Sequence, residues 1–220
     1  RGGGNTAFIV PEHYTTKYKE NTEGVRDPRW DRNIGDYSMG NKNSNVLNKL
    51  NTEFTIKKFA RLDTETTGYM NNWQTNGNPT NVIMLRLADI YLLYAESINE
   101  INHAPNAVAL EYVNMVRRRA WKKDISTPDP TVDLSISDYE SFHKALMDER
   151  CVELCFEGHR WFDLVRWNRL IEVVKATTQP AAQNIQERHY FYPIPEDERR
   201  LNPNLTQNPG WAGGTPLEPR

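Results

Sequence analysis

The chain has 220 residues, of which 25% are charged, and its formal net charge is −2. This near-neutral balance gives no support to a nucleic-acid partner or an anionic membrane surface, and no apolar run approaches the ~20 residues of a membrane-spanning helix. The first residues, RGGG, include neither a Met nor an apolar signal segment. We therefore expect a processed or truncated globular chain, with any leader or lipid-anchor cysteine lying upstream.

Residues 1–80 form the first predicted part. They are rich in Asn, Thr, Gly and aromatic residues and show no helical periodicity. Short strand candidates occur at 7–10 and 53–59. Loops of this length in a compact domain are usually either functional or disordered, so this loop-rich part is the first place to look for a site.

Residues 81–175 are predicted to be helical because apolar residues recur at steps of three and four. The first stripe comprises Met84, Leu87, Ala88, Tyr91, Ala95 and Ile98. The second stripe comprises Ala109, Val113, Val116 and Ala120. A break at 102–106 separates them, and Pro105 suits the first turn of the second helix. The pattern therefore indicates two antiparallel helices joined by a short turn.

A second helical pair is predicted downstream. Ser137 to Glu140 has the order of a capping box that opens a helix, and Gly158 suits the left-handed residue that ends one. A fourth helix is expected from about 159 to 175. Two hairpins in series favour a tetratricopeptide-like array, although the self-similarity of the repeats is weak. Residues 176–220 carry several prolines and are expected to be an extended segment, with all three parts forming one integrated domain.

Residues 149–167, ERCVELCFEGHRWFDLVRW, interleave seven charged side chains with ten apolar ones. Glu153 and Glu157 lie one helical turn apart, a spacing that could place two carboxylates as in a glycosidase. However, Arg150 and Arg160 continue the same stripe, and a nearby arginine lowers a carboxylate pKa. We therefore predict that these residues form an ion-pair network between helices, and not a catalytic pair.

The sequence offers little other site chemistry. Cys151 and Cys155 lie one turn apart, where disulfide geometry is rarely reached, and we predict two buried free thiols. The sequence contains no nucleophile elbow, zincin, P-loop or dinucleotide motif. The five histidines are scattered, so neither a metal nor a cofactor is expected. The arginines at 117–119 end a predicted helix, where cations are favoured, and at least one should pair with an acid of a neighbouring helix.

Four segments together resemble the SusD/RagB family of Bacteroidetes outer-membrane nutrient-binding proteins. Residues 85–96, LRLADIYLLYAE, and 113–120, VNMVRRRA, are similar to two helices of that family. Residues 149–167 match its ERxxELxFEGxRxxDLxRW pattern at almost every specified position. Residues 192–211, YPIPEDERRLNPNLTQNPGW, resemble its closing segment, with Trp211 in place of the usual Tyr. Residues 27–34, DPRWDRNI, resemble its DPR segment.

The resemblance implies a mostly α fold, with tetratricopeptide-like hairpins packed against a loop-rich, aromatic-containing region with short strands. It implies a lipoprotein on the outer-membrane surface, attached only through a lipid anchor outside this chain. Such proteins bind oligosaccharides, or in some cases peptides, and serve polysaccharide utilisation with a SusC-like TonB-dependent transporter. Because family members are about twice this length, the chain is expected to be a C-terminal half whose N-terminal half is absent.

The aromatic and amide residues of the loops are the ligand-binding candidates. Rings pack against sugar C–H faces while amides satisfy the hydroxyl groups, as in ligand pockets generally, and aromatic residues on loops are harder to explain as core. The candidates are Trp73, Tyr69, Trp30, Tyr37, Asn72 and Asn76. Trp121, Trp161 and Trp167 lie in predicted helices and are interpreted as core.

Three function classes remain open from the sequence. The first is a glycan-binding protein without enzymatic activity, which the aromatic, amide-rich loops favour. The second is a helical-repeat interaction scaffold with a peptide as cargo, which a charged groove without an exposed aromatic platform would favour. The third is a polysaccharide hydrolase, which the predicted pairing of the acids with arginines disfavours.

Overall fold

The computed structural model describes residues 12–35, 37–39, 47–49, 55–56, 58, 83–177 and 179–217. It divides the chain into two compact units, residues 1–160 and 161–220. The predicted boundaries at 80 and 175 remain predictions. Across the described residues no helix is long and apolar enough to cross a membrane.

The first unit begins with short elements. Helix α1 spans Glu12–Thr15 and helix α2 spans Arg29–Asn33. Strand β1 (Ile34–Gly35) pairs antiparallel with β4 (Thr55–Ile56). Strand β2 (Tyr37–Met39) pairs antiparallel with β3 (Leu47–Lys49), so this ladder is nested within the loop that β1 and β4 close. The strand candidate at 53–59 contains β4, whereas the candidate at 7–10 lies outside the described residues.

The core of this unit is a helical hairpin with a third helix packed on it. Helix α3 (Leu87–Asn102) packs against α4 (Ala107–Ala120) and against α5 (Tyr139–Glu153). The fully or almost fully buried core residues are Leu92, Ala95, Ala109, Val113, Val116, Phe142 and Leu146. Ala95 and Ala109, small residues of the two predicted stripes, are both fully buried in this core. The prediction of a mostly α fold with tetratricopeptide-like hairpins is confirmed.

The helix starts differ slightly from expectation. Asn106 caps α4, since its side-chain oxygen accepts from the Ala109 N–H at 2.8 Å. Pro105 therefore precedes the cap instead of opening the first turn. Asp138 caps α5 by accepting from the Ser141 N–H at 2.9 Å, so the cap is one residue later than the predicted Ser137. Both amino acids are strong N-cap formers.

The helix ends differ more. Helix α5 ends at Glu153, although Gly158 does adopt the left-handed conformation, with φ of 88°. The predicted fourth helix is two helices, α6 (Arg160–Arg166) and α7 (Leu170–Lys175). Asn168 between them has φ of 54°, a conformation that Asn tolerates better than most residues.

The second unit, residues 161–220, contains most of α6, then α7, two 3₁₀ turns (Pro180–Asn184 and Glu187–Tyr190) and α8 (Glu196–Leu201). Its buried cluster comprises Leu164, Leu170 and Tyr190, with Trp161 and Trp167 packed against it. The closing segment is held by Gln207. Its amide accepts from the Ile194 N–H at 2.8 Å and donates to the Ile194 carbonyl at 2.9 Å.

Candidate functional site

The three glutamates of the 149–167 segment are neutralised by cations from elsewhere in the chain. Glu153 at the end of α5 is almost fully buried. One of its oxygens lies 2.5 Å from Arg86 Nη1 and 2.6 Å from Arg119 Nη2, and the other lies 2.9 Å from Arg29 Nη1. A single carboxylate therefore holds three guanidinium groups, and those groups come from three separate parts of the sequence.

Arg29, the arginine of the DPR segment, is the second centre of this network. It is buried at the start of α2. Its guanidinium bonds the Asp27 carboxylate at 2.6 Å and Glu149 at 2.6 Å, in addition to Glu153. Glu149 also accepts from Arg117 at 3.0 Å. The DPR turn is thus fastened to α5, and α5 to α4, by charged hydrogen bonds, which are the stronger kind.

Glu157 is bonded to Lys58 and Arg86, the two residues that flank residues 59–85. Lys58 Nζ donates to Glu157 Oε1 and, at 2.8 Å, to the Glu153 carbonyl. Arg86 Nε donates to Glu157 Oε2 at 2.7 Å, and Arg86 Nη2 donates to the Glu153 carbonyl at 2.6 Å. The two ends of this segment are therefore pinned to one turn that follows α5.

These surroundings decide the ionisation of the acids. Burial acts to raise the pKa of Glu153, but Arg29, Arg119 and Arg86 outweigh it and hold that pKa at about 2. For Glu157 burial opposes the same effect, and its bonds from Arg86 and Lys58 leave the pKa lowered. Neither acid can serve as a general acid near neutral pH, because that role needs a raised pKa.

The predicted network is confirmed, but its predicted pairing is wrong. The helical spacing suggested that Glu153 and Glu157 pair with Arg150 and Arg160. Instead both acids bond to the distant cations described above, and Arg150 bonds Asp89 of α3 at 2.8 Å. The Nε and Nη1 atoms of Arg160 are buried without a hydrogen-bond partner in the described part of the chain. The helical spacing correctly predicted ion pairs for Glu153 and Glu157, because these side chains face inward, where they contact other segments of the chain.

The arginines at 117–119 behave as predicted. Arg117 and Arg119 bond the acids Glu149 and Glu153 of α5, as given above. Arg118 is almost fully buried and bonds Asp133 at 2.6 Å and Glu111 at 2.7 Å. All three therefore fasten the end of α4 to neighbouring segments.

The two cysteines follow expectation. Cys151 and Cys155 are buried and form no disulfide. Burial raises the pKa of the Cys155 thiol to about 12, which removes it as a nucleophile. Among the described residues, no group of three or more His, Cys, Asp or Glu side chains is arranged to hold a metal ion.

The structure describes Trp30, one of the ligand-binding candidates, most fully. Its ring is half-buried, meets Tyr18 edge-on at 5.6 Å between centroids, and lies 4.9 Å from the Arg26 guanidinium carbon. These contacts give Trp30 a packing role, and its ligand role remains a prediction. The backbone of Tyr37 lies in β2 opposite Lys49. The remaining candidates, Tyr69, Asn72, Trp73 and Asn76, lie outside the described residues.

Sequence reasoning missed Lys58, Arg86 and Arg29 as the partners of the α5 acids. Arg86 and Arg29 lie within segments that resemble the family, LRLAD and DPR, so a signal for both was present. Nothing in the local pattern around Lys58 indicates its role, because its partners are about a hundred residues away in sequence.

The α3–α4 hairpin, with α5 packed on it and the buried ion pairs at the end of α5, defines a helical-hairpin scaffold. The chain belongs to the SusD family, whose sequence model matches residues 7–211. A SusD-like protein of Formosa agariphila is 37% identical over 137 residues, which are 61% of this chain and 25% of that protein.

Solved structures agree with this assignment. A SusD homologue from Bacteroides thetaiotaomicron superposes with a TM-score of 0.66 at 26% identity, covering 92% of this chain and 44% of that one. A laminarin-binding SusD-like protein superposes with a TM-score of 0.58 at 26% identity, covering 92% of this chain and 38% of that one. The chain therefore spans less than half the length of these relatives.

Proposed function

We propose that this chain is part of a cell-surface glycan-binding protein of the outer membrane, which captures oligosaccharide and delivers it to a SusC-like TonB-dependent transporter. The observation that carries the proposal is the family match over residues 7–211, together with the similarity to a laminarin-binding relative. The ionisation of Glu153 and Glu157 supports binding without hydrolysis.

The ligand site is proposed to lie in the loop-rich part of the chain. The contacts of Lys58 and Arg86 with Glu157 support this placement, because these two residues flank the stretch of sequence that carries Tyr69 and Trp73 and both are bonded to the scaffold. Trp30 and Tyr37 come from the preceding segment of the same unit. A screen of the full-length protein against a glycan array, with laminarin included, tests the proposal directly.

Trp73→Ala is expected to weaken glycan binding roughly 5- to 150-fold. Stacking of a ligand ring on an aromatic face contributes about 1–3 kcal/mol, and each 1.4 kcal/mol is about tenfold in the dissociation constant. The dissociation constant is measured by calorimetry on the full-length protein with a glycan found in the screen. The melting temperature is expected to change little.

Trp211→Ala is the matched control. The Trp211 indole N–H donates to the Arg188 carbonyl at 3.1 Å and to the Phe191 carbonyl at 3.0 Å, so its loss should lower stability. The affinity of the molecules that remain folded should not change. If Trp73→Ala unfolds the protein while the folded fraction binds normally, Trp73 is a packing residue and this site is wrong.

Prolonged incubation of the purified protein with polysaccharide is expected to release no reducing ends. The physical reason is that Glu153 and Glu157 are ionised and bonded to cations, so neither can donate a proton to the glycosidic oxygen. A reducing-sugar assay with a hydrolase as positive control makes the measurement. Product formation that persists through further purification would place the protein in the hydrolase class. If the protein binds no glycan in the screen but selectively retains peptides, the peptide-cargo class is favoured.

A further inference from the structure

Arg26 lies on a turn whose backbone is fixed on both sides. Residues Glu20 and Arg26 pair as an antiparallel backbone bridge. Inside the turn, the side-chain oxygen of Asn21 accepts from the Val25 N–H at 2.9 Å. The next residue, Asp27, is almost fully buried and belongs to the ion-pair network at the end of α5. The backbone from which the Arg26 side chain projects is therefore well defined.

The Arg26 guanidinium lies over the ring of Trp30, with 4.9 Å between its carbon atom and the ring centre. That ring packs against the buried Tyr18, whose hydroxyl accepts from Asn33 Nδ2 at 3.0 Å. The indole thus rests on the core of the unit and supports the arginine, because a cation is attracted to the face of an aromatic ring. A sugar ring has no room to stack on that face of Trp30, since the guanidinium already occupies it.

The side chain of Arg26 is exposed, and no carboxylate bonds to it in the part of the chain that the structure describes. Among those residues, Glu20 pairs with Arg26 through its backbone and forms no ion pair with it. The carboxylate of Asp27 is bonded to Arg29 at 2.6 Å. Arg26 therefore differs from the arginines of the buried network, which are all bonded to acids.

The chemistry of a guanidinium indicates what such a group binds. It is planar and presents five N–H donors in a fork that matches two oxygen atoms of one anionic group. A carboxylate and a sulfate ester both offer such a pair of oxygens, whereas a neutral hydroxyl group offers one oxygen and no opposite charge. Because stacking on Trp30 already restricts the Arg26 side chain, less conformational freedom is lost when the fork binds.

We propose that Arg26, supported by Trp30, binds the oxyanion of an acidic sugar, which is the carboxylate of a uronic acid or a sulfate ester. This inference rests on the proposed function and adds the substrate class to it, a glycan that carries anionic groups. In this arrangement Arg26 touches the ligand, and Trp30 is a positioning residue that acts through Arg26.

A glycan array tests the ligand class on the full-length protein. Each acidic glycan is printed beside its neutral form, which is made by reduction of the carboxyl group or by removal of the sulfate. We expect the neutral member of a bound pair to bind at least about 10-fold more weakly, and the treatment that weakens binding identifies the oxyanion. Equal binding of both members, or binding of neutral glycans alone, would overturn this inference and leave the proposed function standing. If no glycan binds, the proposed function itself fails.

Arg26→Gln is expected to weaken binding of the acidic glycan about 10- to 100-fold, the usual effect of losing hydrogen bonds to a charged group. Calorimetry on the full-length protein measures the dissociation constant. Added salt should weaken binding to the unsubstituted protein more than binding to this variant, because salt screens the charge that the variant lacks. Arg32→Gln is the matched control, since Arg32 is an exposed arginine of α2. An equal loss in both variants would reveal a general effect of positive charge and contradict the inference.

The positioning role of Trp30 is tested by combining two substitutions. Trp30→Leu keeps an apolar side chain on the core but removes the ring beneath Arg26, so the affinity for the acidic glycan should fall. In the Arg26→Gln background the same change should have no further effect, because the group that Trp30 positions is already absent. A loss of equal size in both backgrounds would show that Trp30 acts independently of Arg26. Arg26→Gln alone, at an exposed position, decides the case in which Trp30→Leu does not fold.

Discussion

Glu153→Gln is expected to lower the free energy of unfolding by about 3–5 kcal/mol, the cost of removing one partner from a buried ion pair. The substitution keeps the shape of the side chain but removes the charge that faces Arg29, Arg86 and Arg119. Of these cations Arg29 is buried and Arg119 is about half exposed, so the lost charge is least replaceable by water at Arg29. Urea unfolding at pH 7, followed by circular dichroism and extrapolated to zero urea, measures the change.

Glu172→Gln is the matched control for this substitution. Glu172 pairs with Arg169 at 3.0 Å on the surface of α7, where both side chains are about half exposed or more. Exposed pairs of this kind contribute at most about 1 kcal/mol. If the two substitutions lower stability by the same small amount, the buried network contributes no more to the free energy of unfolding than a surface pair does. The structural role assigned to the network is then wrong.

The helical part of the fold was predictable because its signal is local. The stripes that predict α3 and α4 repeat every three or four residues, and the side chains Ala95 and Val113 of those stripes are buried where the helices meet. The ends were less predictable. Helix α5 ends at Glu153, and the carboxylate and carbonyl of that residue bond to Arg86 and Lys58. Those contacts depend on tertiary structure, so helical periodicity cannot indicate them.

The presence of an ion-pair network was predictable from the sequence, but the partners of its acids were not. Helical spacing names only neighbours three or four residues away, and it therefore suggested Arg150 and Arg160. The actual partners Arg29 and Arg86 lie 124 and 67 residues from Glu153 in sequence. Only the fold brings them together.

The loop aromatics illustrate a different limit. The sequence offers both Trp30 and Trp73 as loop aromatics, because neither belongs to a helical stripe. The structure shows that the Trp30 ring packs on Tyr18 and beneath Arg26, whereas Trp73 lies outside the described residues. A packed ring can still offer one edge to a ligand, so the comparison of single substitutions is the measurement that ranks the two.

Stability is expected to fall by roughly 3 kcal/mol between pH 7 and pH 2 through Glu153 alone, from 1.36 kcal/mol per pKa unit. The pKa of Glu153 is about 2 in the folded chain against an ordinary value of 4.5. A depressed folded pKa adds stability that is complete above the unfolded value and is lost as the pH falls toward the folded one. The pKa values of Glu157 and Asp148 are also lowered and act in the same direction.

Urea unfolding of the unsubstituted protein and of Glu153→Gln at intervals from pH 7 to pH 3 tests this dependence. The curve of the variant should be flatter, because its amide does not titrate, and the two curves should converge as the pH falls. Glu172→Gln should run parallel to the unsubstituted protein throughout. If Glu153→Gln also runs parallel, protonation of Glu153 is not linked to unfolding, and the three arginines do not depress its pKa.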